Sequence, residues 1–225
     1  MKKLILLAPL LSILWSCDTY YSYKTYHSYI DGPSFDVYVD SYGNDTVCIG
    51  KSCVLVPEDT SIIPYDLQYL EFYNQLLTVF TDKGYQMVKQ IKDADYVIYF
   101  KYGIELPHFD VTEERLPVWA PTGEINSDGE EEMEVAGYQT VHRTKINYKR
   151  YLYLTTYDIN YSNLHLEPKV IWQAEIESTG ETNDFRRIFP VLLAGSEKFM
   201  GRNSGQKQKV LVYEKSQRVQ ELRAD

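Results

Sequence analysis

The chain has 225 residues, 24 % of them charged, and a formal charge of −9. That length allows one or two domains, and a single core of this size buries roughly two thirds of the unfolded surface, so the fold requires neither a metal nor a disulfide. An acidic surface repels phosphate backbones and anionic head groups, which excludes nucleic acid as an expected partner.

The chain opens with a targeting pattern. Lys2 and Lys3 precede an apolar run broken only by Pro9 and Ser12, which ends in Leu14-Trp15-Ser16-Cys17. The run is shorter than the ~20 residues a membrane-spanning helix needs. The final tetrad resembles the bacterial lipobox, although Trp15 is bulky for its slot. The resemblance implies a removable signal over residues 1–16 and a lipidated mature N-terminus at Cys17. Several acyl chains anchor stably where one alone is marginal. Loss of Lys2 and Lys3 with the signal moves the charge from −9 to −11. Asp18 resembles an inner-membrane retention signal of some enteric bacteria, but that rule does not transfer across phyla. The expectation is an outer-membrane anchor with the domain facing the periplasm or the cell surface.

Tyrosine is the compositional anomaly, with 21 in the chain and seven over residues 20–42. Aromatic side chains with a polar tip suit half-buried strands, so sheet is favoured over a helical bundle. Residues 17–22 read as a tether that leads into a first strand. Cys48 and Cys53 enclose Ile-Gly-Lys-Ser, which reads as the turn of a tight hairpin. In an oxidising compartment the two can pair. Buried thiols and a redox pair are the alternatives, the latter disfavoured because the spacing is not Cys-x-x-Cys.

Residues 64–83 follow a helical period, with Leu70, Tyr73, Leu76, Leu77 and Phe80 within a stripe about 120° wide and Asn74 and Gln75 outside it. Pro64 suits the first turn and Gly84 the left-handed exit. Strands are expected over 85–88, 94–104, 151–159 and 169–177; in the last, Val170, Trp172, Ala174 and Ile176 face one way and Gln173, Glu175 and Glu177 the other. The polar stretch 105–150 carries an acidic loop over 122–134. A second helix covers 185–200, either starting or bending at Pro190, with Leu192 in mid-stripe and Glu197 on the opposite side. A short strand over 210–213 and a charged tail close a single domain.

Few constellations suggest chemistry. Glu124-Ile125-Asn126-Ser127-Asp128-Gly129 begins like a calcium loop, but its twelfth position is Val135 and its flanks are not helical. His27, His108, His142 and His165 lack metal-ligand spacing. Ser196 sits in no nucleophile elbow. Gly201-Arg202-Asn203-Ser204-Gly205 has no Walker lysine. Asp158 and Glu175 are strand carboxylates that would serve glycoside chemistry only if they converged.

Tyr23-Lys24-Thr25-Tyr26, Lys83-Gly84-Tyr85, Ala94-Asp95-Tyr96-Val97-Ile98, the strand 151–158, Val170-Ile171-Trp172-Gln173-Ala174 and Phe189-Pro190 together resemble the domain of unknown function 4136, a family of Gram-negative envelope lipoproteins. The acidic insertion, the cysteine pair and the tail beyond Arg202 depart from its pattern. The resemblance implies an envelope-facing domain with no catalytic residues to transfer. The expected fold is α+β, a two-layer sandwich in which a mixed, mainly antiparallel sheet carries two principal helices on one face. The expected function is a non-enzymatic, lipid-anchored module that binds an envelope protein or cell-wall component, without cofactor or metal. The alternative is a periplasmic hydrolase or carbohydrate-active enzyme using converging carboxylates.

Overall fold

The computed structural model describes residues 32–43, 50–59, 66–160 and 169–224. Cys17, the tether, His27, Cys48, Pro64 and His165 lie outside the described residues. The elements in chain order are β1 (Ser34–Gly43), β2 (Ser52–Pro57), α1 (Leu67–Asp82), β3 (Gln86–Met87), β4 (Tyr96–Ile104), β5 (His108–Ile125), β6 (Glu131–Asp158), β7 (Lys169–Gly180), α2 (Phe185–Ser196), β8 (Gln208–Tyr213) and α3 (Gln217–Ala224). The sheet runs β3-β2-β4-β6-β7-β1-β8, with β5 paired to β6. Among the described residues only β2 makes parallel pairings, with β3 and β4, so the sheet is mixed and mainly antiparallel and the class is α+β.

Strand alternation builds the core. Ile98 and Phe100 of β4, Leu152 and Leu154 of β6, Trp172, Ala174 and Ile176 of β7, and Val37 and Val39 of β1 join one buried cluster with side chains of all three helices. The expected inward set of β7, Val170, Trp172, Ala174 and Ile176, holds for the last three, whereas Val170 is exposed because a register shift against β6 at Thr156/Tyr157 pairs it with Tyr157 of the outer face. Gln173 and Glu175 point away from that cluster, as the period of two requires.

The helix expected from residue 64 is described from Leu67. Asp66, extended at φ −64° and ψ 124°, caps it by accepting from the Gln68 and Tyr69 amides. Gly84, at φ 86°, supplies the left-handed exit. The buried stripe is rotated by ~90° from the expected one at 100° per residue. It consists of Tyr69, Phe72, Gln75, Leu76, Val79 and Phe80, whereas Leu70 is exposed. The cause is aromatic: the Phe72 ring stacks on Phe189 at 4.3 Å and meets Tyr102 and Phe185 edge-on at 5.0 and 5.5 Å. Turning Phe72 inward carries Gln75 in with it.

In α2 the Asp184 carboxylate caps the first turn at the Arg187 amide, and Pro190 lies inside the helix, which begins well before it. Regular α-helix stops at Ser196, and residues 197–199 form a 3-10 turn. Ile188, Phe189, Val191, Leu192 and Leu193 are all fully buried, because β1, α1 and α3 contact the helix on several sides. A Cβ on Gly195 would fall 2.8 Å from Val37 Cβ, so only glycine lets α2 approach β1 this closely. The expected charged tail is instead α3, which buries Val219 and Leu222. Arg218 ties it down, donating to Glu197 and Asp82 at 2.8 Å each. Glu197 is thus an ion-pair partner rather than a bystander on a wet face.

β2, which carries Cys53, lies between β3 and β4; the hairpin expected between Cys48 and Cys53 begins outside the described residues. One further expectation is corrected. The acidic loop over 122–134 is the tip of a long β5–β6 hairpin, with strand to Ile125 and again from Glu131. Only a turn separates them, in which Asn126 Oδ1 accepts from the Asp128 and Glu130 amides and Gly129 adopts φ 83°.

Candidate binding surface

The face of the sheet turned away from the helices carries Tyr38 of β1, Tyr99 of β4, Tyr151, Tyr153 and Tyr157 of β6, and Glu175 and Glu177 of β7, as the alternation of each strand dictates. Its centre is Glu177. That carboxylate accepts from Lys149 Nζ at 2.8 Å, Lys207 Nζ at 2.9 Å and Tyr153 Oη at 3.1 Å. Lys149 also reaches Glu105 at 3.0 Å. The Tyr151 and Tyr153 rings stack at 4.7 Å, and Lys207 and Lys209 lie over the Tyr38 ring at 6.0 and 5.9 Å. A small groove of about 210 Å³ opens beside Tyr153, lined by Glu58, Lys101, Thr155, Gln173 and Glu175.

The protonation states of this network follow from its bonds. Burial pushes the Glu177 carboxyl up, but hydrogen bonds from Lys149, Lys207 and Tyr153 overcome it and hold the group below its ordinary value. Hydrogen bonds to Glu177 and Glu105 hold the Lys149 ammonium above the ordinary lysine range. Burial, with the bond to Glu177, pushes the Tyr153 phenol up to about 12. Glu177 and Glu105 share one ammonium and so lie within about 6 Å of each other, near the spacing of a retaining glycosidase pair. The Lys149 Nζ lies between the two carboxylates and helps keep Glu177 ionised, so Glu177 is not placed to act as a general acid.

A testable consequence lies at alkaline pH. A phenol near 10 when unfolded and about 12 when folded contributes stability below pH 10 that is lost between pH 10 and 12. Burial raises Tyr69, Tyr73 and Tyr102 as well, adding to the loss. Denaturant midpoints fall across this window, and Tyr153→Phe makes the fall shallower by about 1 kcal/mol after allowance for solvent screening. An unchanged pH profile in Tyr153→Phe contradicts the assignment.

The structure separates the sequence's candidate carboxylates. Glu175 stands opposite Tyr153 of β6, whereas Asp158 pairs with Tyr96 and Lys169 at the strand's far end. Five residues along a strand is ~16 Å, and the odd spacing places them on opposite faces. His108 and His142 lie exposed on the β5–β6 hairpin beside Asp110 and Glu113. Ser196 donates to the Leu193 carbonyl as a helix residue. The loop 201–205 fastens to β1, with Ser41 Oγ donating to the Arg202 carbonyl at 2.9 Å and the Ser41 amide donating to Ser204 Oγ at 3.0 Å. Cys53 is buried on β2 with its thiol against the Lys51 carbonyl at 3.6 Å.

The Lys149–Glu177–Tyr153 network escaped sequence reasoning because it needs the β6–β7 register, although alternation already put Glu175 and Glu177 on one face. So did Arg150, wholly buried beneath the end of β7. Its Nη1 donates to the Thr182 carbonyl at 3.2 Å and its Nη2 to Ser178 Oγ at 3.0 Å, while Nε has no partner. Burial pushes this guanidinium down to about 10. A second groove, of about 800 Å³, opens near this end of β7, between Phe35, Asp36, Lys145, Thr182, Arg187 and Lys209.

No family model matches the chain, and no curated protein does. Among solved structures, a PDZ domain protein from Parabacteroides distasonis is similar over 87 % of this chain at 14 % identity and a TM-score of 0.40. This chain spans 43 % of that protein. PelC from Paraburkholderia phytofirmans, solved as a dodecamer, is similar over 73 % of this chain and 95 % of its own at 12 % identity and a TM-score of 0.35.

Proposed function

We propose that this chain is a lipid-anchored lipoprotein of the cell envelope, held at Cys17 in the outer membrane, that acts as a non-enzymatic binding module. The observation that carries the binding role is the tyrosine-rich outer face of β1, β4, β6 and β7. Its charged groups are fixed by mutual hydrogen bonds in their ionised forms around Glu177. Such a face offers aromatic area and directed donors with little ordering cost, which suits a protein or cell-wall ligand. The anchor is supported by the tetrad Leu14-Trp15-Ser16-Cys17, and kinship with the domain of unknown function 4136 lipoproteins by the short matches along the sequence. The architecture behind the face is a two-layer sandwich with α1 and α2 on the opposite side. Its support is the cluster that joins Leu76, Phe80, Ile188 and Leu192 to Ile98, Leu154 and Ile176.

Two experiments test this reading. With the anchor, the protein sediments with outer membranes and Cys17→Ser moves it to the soluble fraction; equal distribution of the two contradicts the anchor. A photocrosslinking side chain at the exposed Tyr42, on the outer face, gives a discrete adduct in native envelopes that the same group at Asn74 does not. Identical labelling at the two positions contradicts the binding face.

Cys48–Cys53 pairing belongs to the same reading, since an envelope location is oxidising. A loop this short contributes only about 2 kcal/mol. Unfolded, unreduced protein shows no thiol reactivity at either position; two reactive thiols overturn the pairing.

A further inference from the structure

The β5–β6 hairpin is built in a way the sheet does not explain. Between residues 108 and 147 each strand has the other as its only ladder partner among the described residues, and β6 joins β7 only from Tyr148 onward. An 18-residue strand is ~60 Å long, and a two-stranded ribbon of that kind is marginal by itself in water.

Its two faces differ. Cross-strand partners share a face, so Phe109/Ile146, Val111/Thr144, Glu113/His142, Arg115/Thr140, Pro117/Tyr138, Trp119/Val135 and Pro121/Met133 form one surface. Phe109, Val111, Trp119 and Tyr138 on it are 57, 63, 56 and 69 % exposed. The other face is mixed: Asn147 Nδ2 donates to Asp110 at 2.6 Å and Arg143 pairs with Glu114 at 2.6 Å, alongside the smaller apolar groups of Leu116, Val118 and Val141 and no phenylalanine, tyrosine or tryptophan ring. An apolar stripe this long on a lone ribbon marks a contact surface.

We propose that this face docks on the same face of a second copy of the chain, the two arms stacked antiparallel about a two-fold axis that crosses them at the level of Glu114 and Val141. The order of residues along the stripe carries the choice of occupant. Charge sits at the middle, in Glu113 and Arg115, with apolar groups on both sides. An antiparallel two-fold therefore lays Phe109 over the second copy's Trp119, Val111 over its Pro117, and Glu113 over its Arg115, each contact occurring twice as an isologous interface requires. Arg115 has no ion-pair partner among the described residues, and Glu113 has only His142, at 3.8 Å. The overlapping part is charge-balanced, Asp110, Glu113 and Glu114 against Arg115, Arg143 and Lys145. The tip holds Glu124, Asp128, Glu130, Glu131, Glu132 and Glu134 with no basic residue. A parallel stack would set these two acidic tips against each other, and the same charges disfavour insertion into an anionic membrane. The overlap, ~35 Å by ~10 Å on each arm, buries about 700 Å² in all, less than a stable specific interface needs, so a weak dimer that dissociates on dilution is expected.

The test is a charge exchange on the full mature chain in detergent, with the molar mass of the protein component read by light scattering. The parent chain is dimeric at high concentration. Glu113→Arg and Arg115→Glu each place like charges across the axis and weaken the dimer about tenfold or more, whereas the double reversal restores it. Trp119→Ser, which leaves the charges in place, also yields monomer. Unfolding midpoints of all variants stay close to the parent's, which separates loss of association from loss of fold. A parent chain that is monomeric at every concentration, single reversals as dimeric as the parent, or a double reversal that fails to recover overturns the proposal. So does a monomer whose Trp119-dependent fluorescence shifts on mixed phosphatidylethanolamine and phosphatidylglycerol vesicles, which would assign the stripe to the membrane.

Discussion

Leu76→Ala and Leu192→Ala each lower the unfolding free energy by about 2–5 kcal/mol, the range for a fully buried leucine that leaves a cavity. Both side chains are 0 % exposed and belong to the cluster that binds α1 and α2 to the sheet. Leu76 lies one turn from Phe72, whose ring stacks on Phe189 of α2, so relaxation into the void is resisted by packed aromatics. Asn74 is exposed on the far side of α1, and its replacement by alanine changes stability by no more than about 0.5 kcal/mol. Glu197→Ala falls between, near 1 kcal/mol, because it removes one of the two carboxylates, with Asp82, that hold Arg218 of α3. Denaturant unfolding compares all four; leucine variants as mild as Asn74→Ala contradict the helices' placement on the sheet.

Arg150 gives the second large effect, and its sign depends on the replacement. The guanidinium is fully buried, donates to one carbonyl and one hydroxyl, and leaves Nε unpartnered. A buried charge without a carboxylate costs several kcal/mol of desolvation. Arg150→Met keeps most of the volume and removes the charge, at the expense of about 1 kcal/mol for the bond to the Thr182 carbonyl. The net expectation is stabilisation by about 1–3 kcal/mol. Arg150→Ala removes the charge but opens a cavity, and destabilises by about 2–4 kcal/mol. Gly180 permits the arrangement, since a Cβ there would fall 3.2 Å from Arg150 Nη1. If Arg150→Met destabilises by more than about 2 kcal/mol, the grip on the turn after β7 outweighs desolvation.

Elements with a strong period were readable. The strand expected over 169–177 alternates from Trp172 onward because one of its faces is buried and the other wet, while the register shift that exposes Val170 has no local signal, and Gly84 ends its helix because the exit needs a positive φ. The stripe of α1 was displaced because apolar residues flank it on both sides, and the Phe72 contacts with Tyr102, Phe185 and Phe189 choose between them. The hairpin arm reads in the sequence as a polar segment with a loop, since its apolar residues alternate with charges on a ribbon that has no core to face. The tail was missed because α3 buries only Val219 and Leu222, and its anchoring is ionic, through Arg218 and Arg223. Of the candidate surface, the side-chain set of β7 was legible, but its union with Lys149, Tyr153 and Lys207 rests on register and long-range pairing, which no local pattern encodes.

The anchored state at Cys17 is tested most directly by the intact mass of the protein extracted from membranes. The expected species begins at Cys17 and carries a diacylglyceryl group and an amide-linked acyl chain, so its mass exceeds that of residues 17–225 by the lipid alone. A product that begins elsewhere, or one that begins at Cys17 without acyl mass, contradicts the account.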